Sequence, residues 1–194
     1  MRTPTWRPGT APPETLQWGP VRLDRWCAAD ADEAFAAVDR SREHLWRWMP
    51  WSREYDHPAA EAYLELSGRL WEERTAFNYR VSSAAIGPDR VLGSASLMAR
   101  RGPDILEIGY WVRADVARRG LAGRAAAALT DAAFVLSATV ELWICHEPEN
   151  VASAAIPARL GYTRQAEPVP GPPGFEDDDV CWTLSKKAWV PVRG

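Results

Sequence analysis

Residues Leu106-Glu107-Ile108-Gly109-Tyr110-Trp111-Val112, then a polar turn, then Arg118-Arg119-Gly120-Leu121-Ala122-Gly123-Arg124 and an alanine-rich run to Leu136, read as a strand, a two-glycine turn and a helix opening directly from the turn. A helix start carries N–H groups without intrahelical partners and partial positive charge, which suits a diphosphate. Glycine lets the main chain approach an anion with no Cβ in between. Three arginines add fixed charge with forked donors. Two familiar phosphate loops are excluded. A Walker-type loop requires Lys-Ser or Lys-Thr after its last glycine, and none is present. A dinucleotide fingerprint requires three spaced glycines near the start of a βαβ unit, and this chain offers two. The remaining alternative for the segment alone is a tight connection with a solvated basic turn.

A second segment adds to the first. Val140-Glu141-Leu142-Trp143-Ile144-Cys145, then Glu149-Asn150-Val151-Ala152-Ser153, then Arg159-Leu160-Gly161-Tyr162 reads as a buried strand, a short loop, a helix and a glycine stop. Together the two segments resemble the GNAT superfamily of acyl-CoA-dependent N-acetyltransferases: its diphosphate loop, and its Asn-x-x-Ser … Leu-Gly-Phe/Tyr motif. The arrangement is most similar to the RimJ/RimL-type branch and spans roughly Leu16 to Lys187. One departure is Ala117, where the family often carries Gln or Arg; Arg118 and Arg119 offer the charge instead.

The resemblance implies an α/β GNAT fold: a mixed central sheet with a splayed parallel strand pair, helices on both faces, and an acyl thioester lying in the gap. It implies acetyl-CoA as co-substrate, no metal, and direct transfer to a primary amine. It assigns the coenzyme to Trp111, Val112 and Arg113, whose main chain would pair with the pantetheine arm, and to Arg118, Arg119, Gly120, Leu121, Ala122, Gly123, Arg124, Asn150 and Ser153. Glu107, on one lip of the gap among apolar neighbours, is the candidate base, acting directly or through water; an exposed strand carboxylate paired with an arginine is the alternative. Ser153 is the candidate donor to the departing sulfur, or it makes only a local helix-start hydrogen bond. Many relatives place a tyrosine acid seven residues after the asparagine; here that position is Pro157, so water is the other proton source. Asn150 caps the helix and touches the pantetheine.

On the acceptor side, His44-Leu45-Trp46-Arg47-Trp48-Met49-Pro50-Trp51 resembles an element that overhangs the acceptor pocket in RimJ/RimL-type enzymes. Trp46, Trp48 and Trp51, with Tyr110, would form its wall; a hydrophobic plug anchoring the loop is the alternative. The acidic run Glu176-Asp177-Asp178-Asp179 either attracts a cationic amine or is a solvated loop. Acceptors of two classes fit: a protein or peptide N-terminus, or a small amine such as an antibiotic or metabolite. A non-catalytic acyl-CoA-binding module is a third reading. A toxin acting on aminoacyl-tRNA is disfavoured by the net charge of −3.

Composition agrees with one soluble globular domain over residues 14–194 behind a loose Pro/Thr-rich arm at 1–13. The slightly negative charge and scattered arginines give no basis for nucleic-acid binding. No apolar run marks a membrane span, and the Pro-rich start lacks an apolar signal core. Three cysteines without CxxC spacing read as reduced thiols, hence a cytoplasmic location. His44, His57 and His146 show no metal-ligand spacing. A monomer or a homodimer is expected.

Along the chain, Leu16–Trp26 reads as one strand. Asp30 and Glu33 suggest a variant capping box, followed by a helix carrying Phe35, Val38, Leu45 and Met49. Pro58 opens a helix with Ala59, Ala62, Tyr63, Leu66 and Leu70 as its buried face. Phe77–Ala85 and Arg90–Arg100 read as strands around Gly87-Pro88-Asp89, and Asp104–Arg113 as the next, entered through Arg101-Gly102-Pro103. Leu121, Ala125, Ala128, Leu129, Ala132 and Leu136 form one face of the helix behind the glycine turn. Val140–Cys145 is a strand and Asn150–Leu160 a helix despite Pro157. Tyr162–Ala166 and Val180–Lys186 close the sheet around a long loop, Glu167–Asp179.

Overall fold

The computed structural model describes residues 11–87, 90–102, 104–136, 138–167, 169–170 and 178–190. Most of the expected arm, Pro88-Asp89, Pro103 and most of the 167–179 loop, including Glu176 and Asp177, lie outside them.

The first expected strand is a hairpin. Gly19, at φ +56°, and Pro20 reverse the chain between β1 (Thr15–Trp18) and β2 (Val21–Arg25), which pair antiparallel. Three helices follow: α1 (Ala31–Asp39), the single turn α2 (Arg42–Leu45) and α3 (His57–Glu73). The capping box does not form on α1. Asp30 accepts instead from the Cys27 amide at 2.9 Å, and Glu33 reaches across to the Val91 amide at 3.2 Å. The continuous helical pattern from Phe35 to Met49 is broken after Asp39, so Val38 and Leu45 reach one core from two separate helices.

α3 opens as expected, with Pro58 in its first turn and the Asp56 carboxylate capping the Ala59 amide at 2.8 Å. Its buried face is Ala60, Leu64, Ser67 and Trp71. Ala62 and Leu66, placed inward by spacing alone, are exposed. The face turns by about one residue (~100°) because Trp71, rather than Leu70, packs against Phe77 and Tyr79, with ring centroids 5.2 and 5.1 Å away.

At the start of α3, His57 Nε2 lies 2.5 Å from Asp32 Oδ1 on α1. The hydrogen bond to Asp32 raises the imidazole above its ordinary value of 6.5. A raised folded-state value means that this contribution to stability is complete below the ordinary value and is lost as pH rises through the folded one. An NMR titration is expected to place the His57 midpoint above 6.5, and Asp32→Asn to bring it down.

The rest of the chain is β3 (Ala76–Ser83), β4 (Gly93–Met98), β5 (Ile105–Val112), α4 (Leu121–Val135), β6 (Glu141–His146), α5 (Val151–Arg159), β7 (Thr163–Arg164), β8 (Val169–Pro170) and β9 (Asp178–Ser185). Among the described residues the sheet order is β1-β2-β3-β4-β5-β6-β9-β7, with β8 beside β9. Every pairing is antiparallel except β5 with β6.

Successive side chains on a strand point to opposite faces. Leu106 and Ile108 of β5 join a core with Ala125, Ala128 and Leu129 of α4. Trp111 packs instead against the cluster built from α1, α3 and Trp26. Helices therefore cover both faces. The alanines of α4 let its backbone lie close to the sheet, and its buried surface extends beyond the expected stripe to Ala126, Ala127 and Ala133.

The expectation of reduced cysteines is corrected for two of the three. β9 returns antiparallel to β6 in a register that sets Cys145 directly opposite Cys181, and the pair is disulfide-bonded. Sequence spacing carries no information about register between strands 36 residues apart. Cys27 is free and exposed.

Candidate active site

The parallel pairing of β5 with β6 runs only from Ile105↔Glu141 to Glu107↔Trp143. Beyond it, Ile108–Val112 pair only with β4, and Ile144–His146 only with β9. The two strands splay from Glu107 and Trp143 onward, and the opening leads toward the glycine turn.

The alternation of antiparallel hydrogen bonds decides which main-chain groups face that opening. The Arg113 amide donates to the Leu92 carbonyl at 2.8 Å. Two residues earlier the Trp111 carbonyl points at β4, so close that a Cβ on Gly93 would stand 2.1 Å from it. Arg113 and Trp111 therefore spend their main chain on β4, and the intervening Val112, like Tyr110, turns its own toward the gap. Of the three residues expected to pair with a pantetheine arm, only Val112 is free to do so through its backbone. The Arg113 side chain is also committed: buried, it holds Asp115 at 2.6 and 3.0 Å and the Val91 carbonyl at 3.2 Å. That guanidinium keeps the Asp115 carboxyl below the usual carboxylate range.

The glycine turn has the expected form. Arg118 (φ +64°) and Gly120 (φ +76°) both adopt left-handed backbone, and Gly120 caps α4. Arg118, Arg119, Gly120 and Arg124 are exposed. The Arg124 side chain folds back across Gly120, its Nη1 3.3 Å from the Arg119 carbonyl. Next to Gly123 there is open space where a Cβ would stand. The first-turn amides of Leu121, Ala122 and Gly123 and three guanidinium groups thus share one helix start, an arrangement chemically suited to an anion.

Asn150 caps α5 by accepting from the Ser153 amide at 3.0 Å. Ser153 Oγ lies 3.2 Å from the Tyr110 hydroxyl, a contact that sequence reasoning missed. Tyr110 shares a strand face with Leu106 and Ile108, opposite Glu107 and Trp111. It therefore joins the α5 side of the sheet and not the tryptophan wall to which it was assigned. Burial pushes its phenol up to about 12, so it stays protonated at neutral pH. Gly161 (φ +80°) ends the second motif, and the buried Tyr162 hydroxyl lies 2.8 Å from Thr130 Oγ1, tying the chain after α5 to α4.

Glu107 is buried, and its surroundings are not the apolar ones expected. Arg100 pairs with Oε1, and the Arg101 Nε donates to Oε2 at 2.5 Å. Arg101 also lies over the Trp143 ring, 5.0 Å from its centroid. The expected alternative, an exposed carboxylate with one arginine, differs as well: the pairing is double and buried. Both arginines lie just past the end of β4, following Met98 and Ala99, and the β4–β5 pairing brings them onto Glu107.

The aromatic element runs from α2 into a 3-10 turn, Pro50–Glu54. Arg42 staples it, donating to the carbonyls of Ser52, Arg53 and Tyr55 at 2.8–2.9 Å and to Asp39 at 2.8 Å. Trp48 lines a cleft of about 390 Å³, with Glu43, His44 and Arg47 on one side and Glu149, Asn150, Val151 and Ala152 on the other. Trp46 and Trp51 are about half exposed; Arg53 lies over Trp46, and Trp51 meets Tyr55 edge-on. The structure thus brings Trp48 to the start of α5 and leaves Trp46 and Trp51 off that cleft. Among the described residues, no cluster of three or more His, Cys, Asp or Glu is placed to hold a metal ion.

The acetyltransferase (GNAT) domain family matches residues 21–163. No curated protein matches the sequence. The fold is shared with several solved acetyltransferases. RimL, a ribosomal L7/L12 alpha-N-protein acetyltransferase solved with coenzyme A, superimposes with a TM-score of 0.77 at 16% identity, over 89% of this chain and 98% of that one. RimJ of Mycobacterium smegmatis, with CoA-disulfide, gives 0.76 at 16% identity over 92% and 89%. The microcin C7 self-immunity acetyltransferase MccE, with acetyl-CoA and AMP, gives 0.74 at 16% identity over 86% and 93%.

Proposed function

Because this chain belongs to the GNAT acetyltransferase family, we propose that it moves an acetyl group from acetyl-CoA to the α-amine of a protein or peptide, by direct transfer while both substrates are bound. The observation that carries this reading is the splay of β5 from β6 at Glu107 and Trp143, with a helix start rich in free amides and arginines at the end of the same strand. The diphosphate sits on the amides of Leu121–Gly123, with Arg118, Arg119 and Arg124 around it. The pantetheine arm runs along β5 and pairs with Val112 and Tyr110. The thioester then lies in the gap, where an outward-turned β5 amide polarises its carbonyl. Holding amine and thioester together supplies the largest share of the rate gain.

Glu107 stands where the strands part, on the face that carries the α1–α3 helices. In this reading it draws the proton from the attacking ammonium through a water, while Arg100 and Arg101 hold it in place. On the other face, Ser153 donates toward the departing sulfur, backed by the protonated Tyr110 hydroxyl. Glu43 borders the cleft beside Trp48 and favours approach of a cationic N-terminus, while Glu149 on the opposite side pairs with Arg47 at 3.6 Å.

The peptide acceptor is preferred because RimL and RimJ share this fold over nearly the whole chain. The likeness to MccE supports a second reading, a small-molecule amine. Release of CoA thiol, followed with N-terminal peptides and with amine antibiotics, separates them. Turnover is expected on peptides with a free α-amine and is lost when that amine is blocked. Turnover confined to small amines would transfer the assignment to the second class.

A further inference from the structure

A second cluster of arginines lies away from the coenzyme gap. A cavity of about 80 Å³ opens between the end of α1, the connection from β3 to β4 and the residue after β5. Each of these segments sends one guanidinium group to it: Arg40, Arg90 and Arg113. Ala36 and Ala37 leave the space, and Glu33 adds a carboxylate. We infer that this cavity binds a single tetrahedral oxyanion of the phosphate type, separately from the proposed coenzyme cradle on α4.

Charge carries the argument first. Arg113 is 6% exposed and cannot swing out to water, because Asp115 and the Val91 carbonyl fix it. Those three bonds leave two of a guanidinium's five N–H donors over. Arg40 and Arg90 are exposed, and among the described residues neither side chain has a hydrogen-bond or ion-pair partner. The Asp115 carboxyl, held below the usual carboxylate range chiefly by its bond to Arg113, also feels the charge of Arg40. Glu33 spends Oε2 on the Val91 amide at 3.2 Å. Counting Asp115, three cations stand against two carboxylates in one small space. Like charges brought together in a partly buried site repel unless an anion lies between them. Donors arriving from three separate segments suit a tetrahedral oxyanion better than a planar carboxylate.

Size and place narrow the ligand. A water takes roughly 30 Å³ in the liquid, so the cavity has room for one phosphate-sized ion and none for a nucleotide. Arg113 turns its main chain to Leu92, on the β4 side of β5, whereas the coenzyme gap opens on the β6 side. The Ala114 amide donates to Ser41 Oγ at 3.0 Å, which already joins the α1–α2 corner to the segment leading into the glycine turn. An anion held between Arg40 and Arg113 ties the acceptor-side helices to that segment a second time.

The test is an NMR titration of the full chain with inorganic phosphate, with sodium chloride at matched ionic strength as the reference and CoA present to fill the cradle. The Val91 and Ala114 amides and the Arg113 Nε resonance are expected to shift and to saturate at low millimolar phosphate. Arg40→Gln and Arg90→Gln, which remove exposed side chains without a partner, should each weaken the midpoint about tenfold. Arg164→Gln, exposed on β7, should leave it unchanged. Phosphoserine in a parallel titration separates the sources: saturation at the same resonances assigns the site to a phosphoryl group on a larger ligand, and phosphate alone assigns it to the free ion. Shifts that follow ionic strength only, that appear only at Gly120–Gly123, or that survive both arginine variants would overturn the inference. If CoA fails to bind, the coenzyme assignment falls, and the same three resonances still report on this cavity.

Discussion

Gly120→Asp is expected to weaken acetyl-CoA binding by about 100-fold, close to 3 kcal/mol. Two effects add. Gly120 sits at φ +76°, where a side chain costs about 1–2 kcal/mol of backbone strain. Its Cβ would also stand 2.6 Å from Arg124 Nη1. That atom ends a flexible side chain, so it moves aside, but it moves away from the anion it should meet. The aspartate then sets negative charge on the amides proposed to receive the diphosphate. Gly120→Ala separates the effects, since it carries the strain without the charge, and a loss of only a few-fold is expected. Arg119→Ala removes one exposed guanidinium and should cost about tenfold. Calorimetric titration with acetyl-CoA reads all three variants. Normal affinity in Gly120→Asp would refute the cradle.

The second large effect is expected at Glu107, where charge and packing are tested separately. Glu107→Ala leaves two guanidinium groups facing a buried void with no carboxylate between them. Removing one partner of a buried ion pair costs about 3–5 kcal/mol, which for a chain of this length lowers the melting temperature by about 10 °C. Glu107→Gln keeps the volume and one oxygen acceptor, removes the charge and replaces the second acceptor with an amide donor. If the carboxylate receives the amine proton, kcat should fall by about 100-fold or more, with acetyl-CoA affinity unchanged in calorimetry. A folded Glu107→Gln variant with normal kcat would show that the carboxylate only anchors Arg100 and Arg101, and that the proton leaves by another route. A protein that binds acetyl-CoA but turns over no amine in either form would instead support the non-catalytic binding module.

Local signals were reliable where backbone chemistry is local. The Asn150 cap, Pro58 at a helix start, the glycine that opens α4 and the one that follows α5 all appear where their residue types require them. Signals that assumed continuity failed. Gly19-Pro20 split one expected strand into two, and Arg40-Ser41 interrupted one expected helix. On α3 the apolar spacing pointed one residue away from the true core side, because a large aromatic at Trp71 outweighed the smaller leucines around it.

At the site, residue types were legible and partners were not. The arginines and glycines of the turn declare an anion cradle through their own chemistry, and a strand followed by such a turn sets the order of the elements. Which main-chain groups face the gap depends on the β4–β5 hydrogen-bond phase, and that phase turns those of Trp111 and Arg113 toward β4 and those of Tyr110 and Val112 toward the gap. The double clamp on Glu107, the contact between Tyr110 and Ser153, the approach of Trp48 to Asn150 and the bond between Cys145 and Cys181 all join residues distant in the chain. Each rests on strand register or helix placement, which arise from how the whole apolar surface packs at once. The amino-acid order therefore specified the chemistry available and the local turns that present it; the assembled sheet alone determined which groups stand within reach of one another, since distances between remote segments are set by collective packing and not by any local preference.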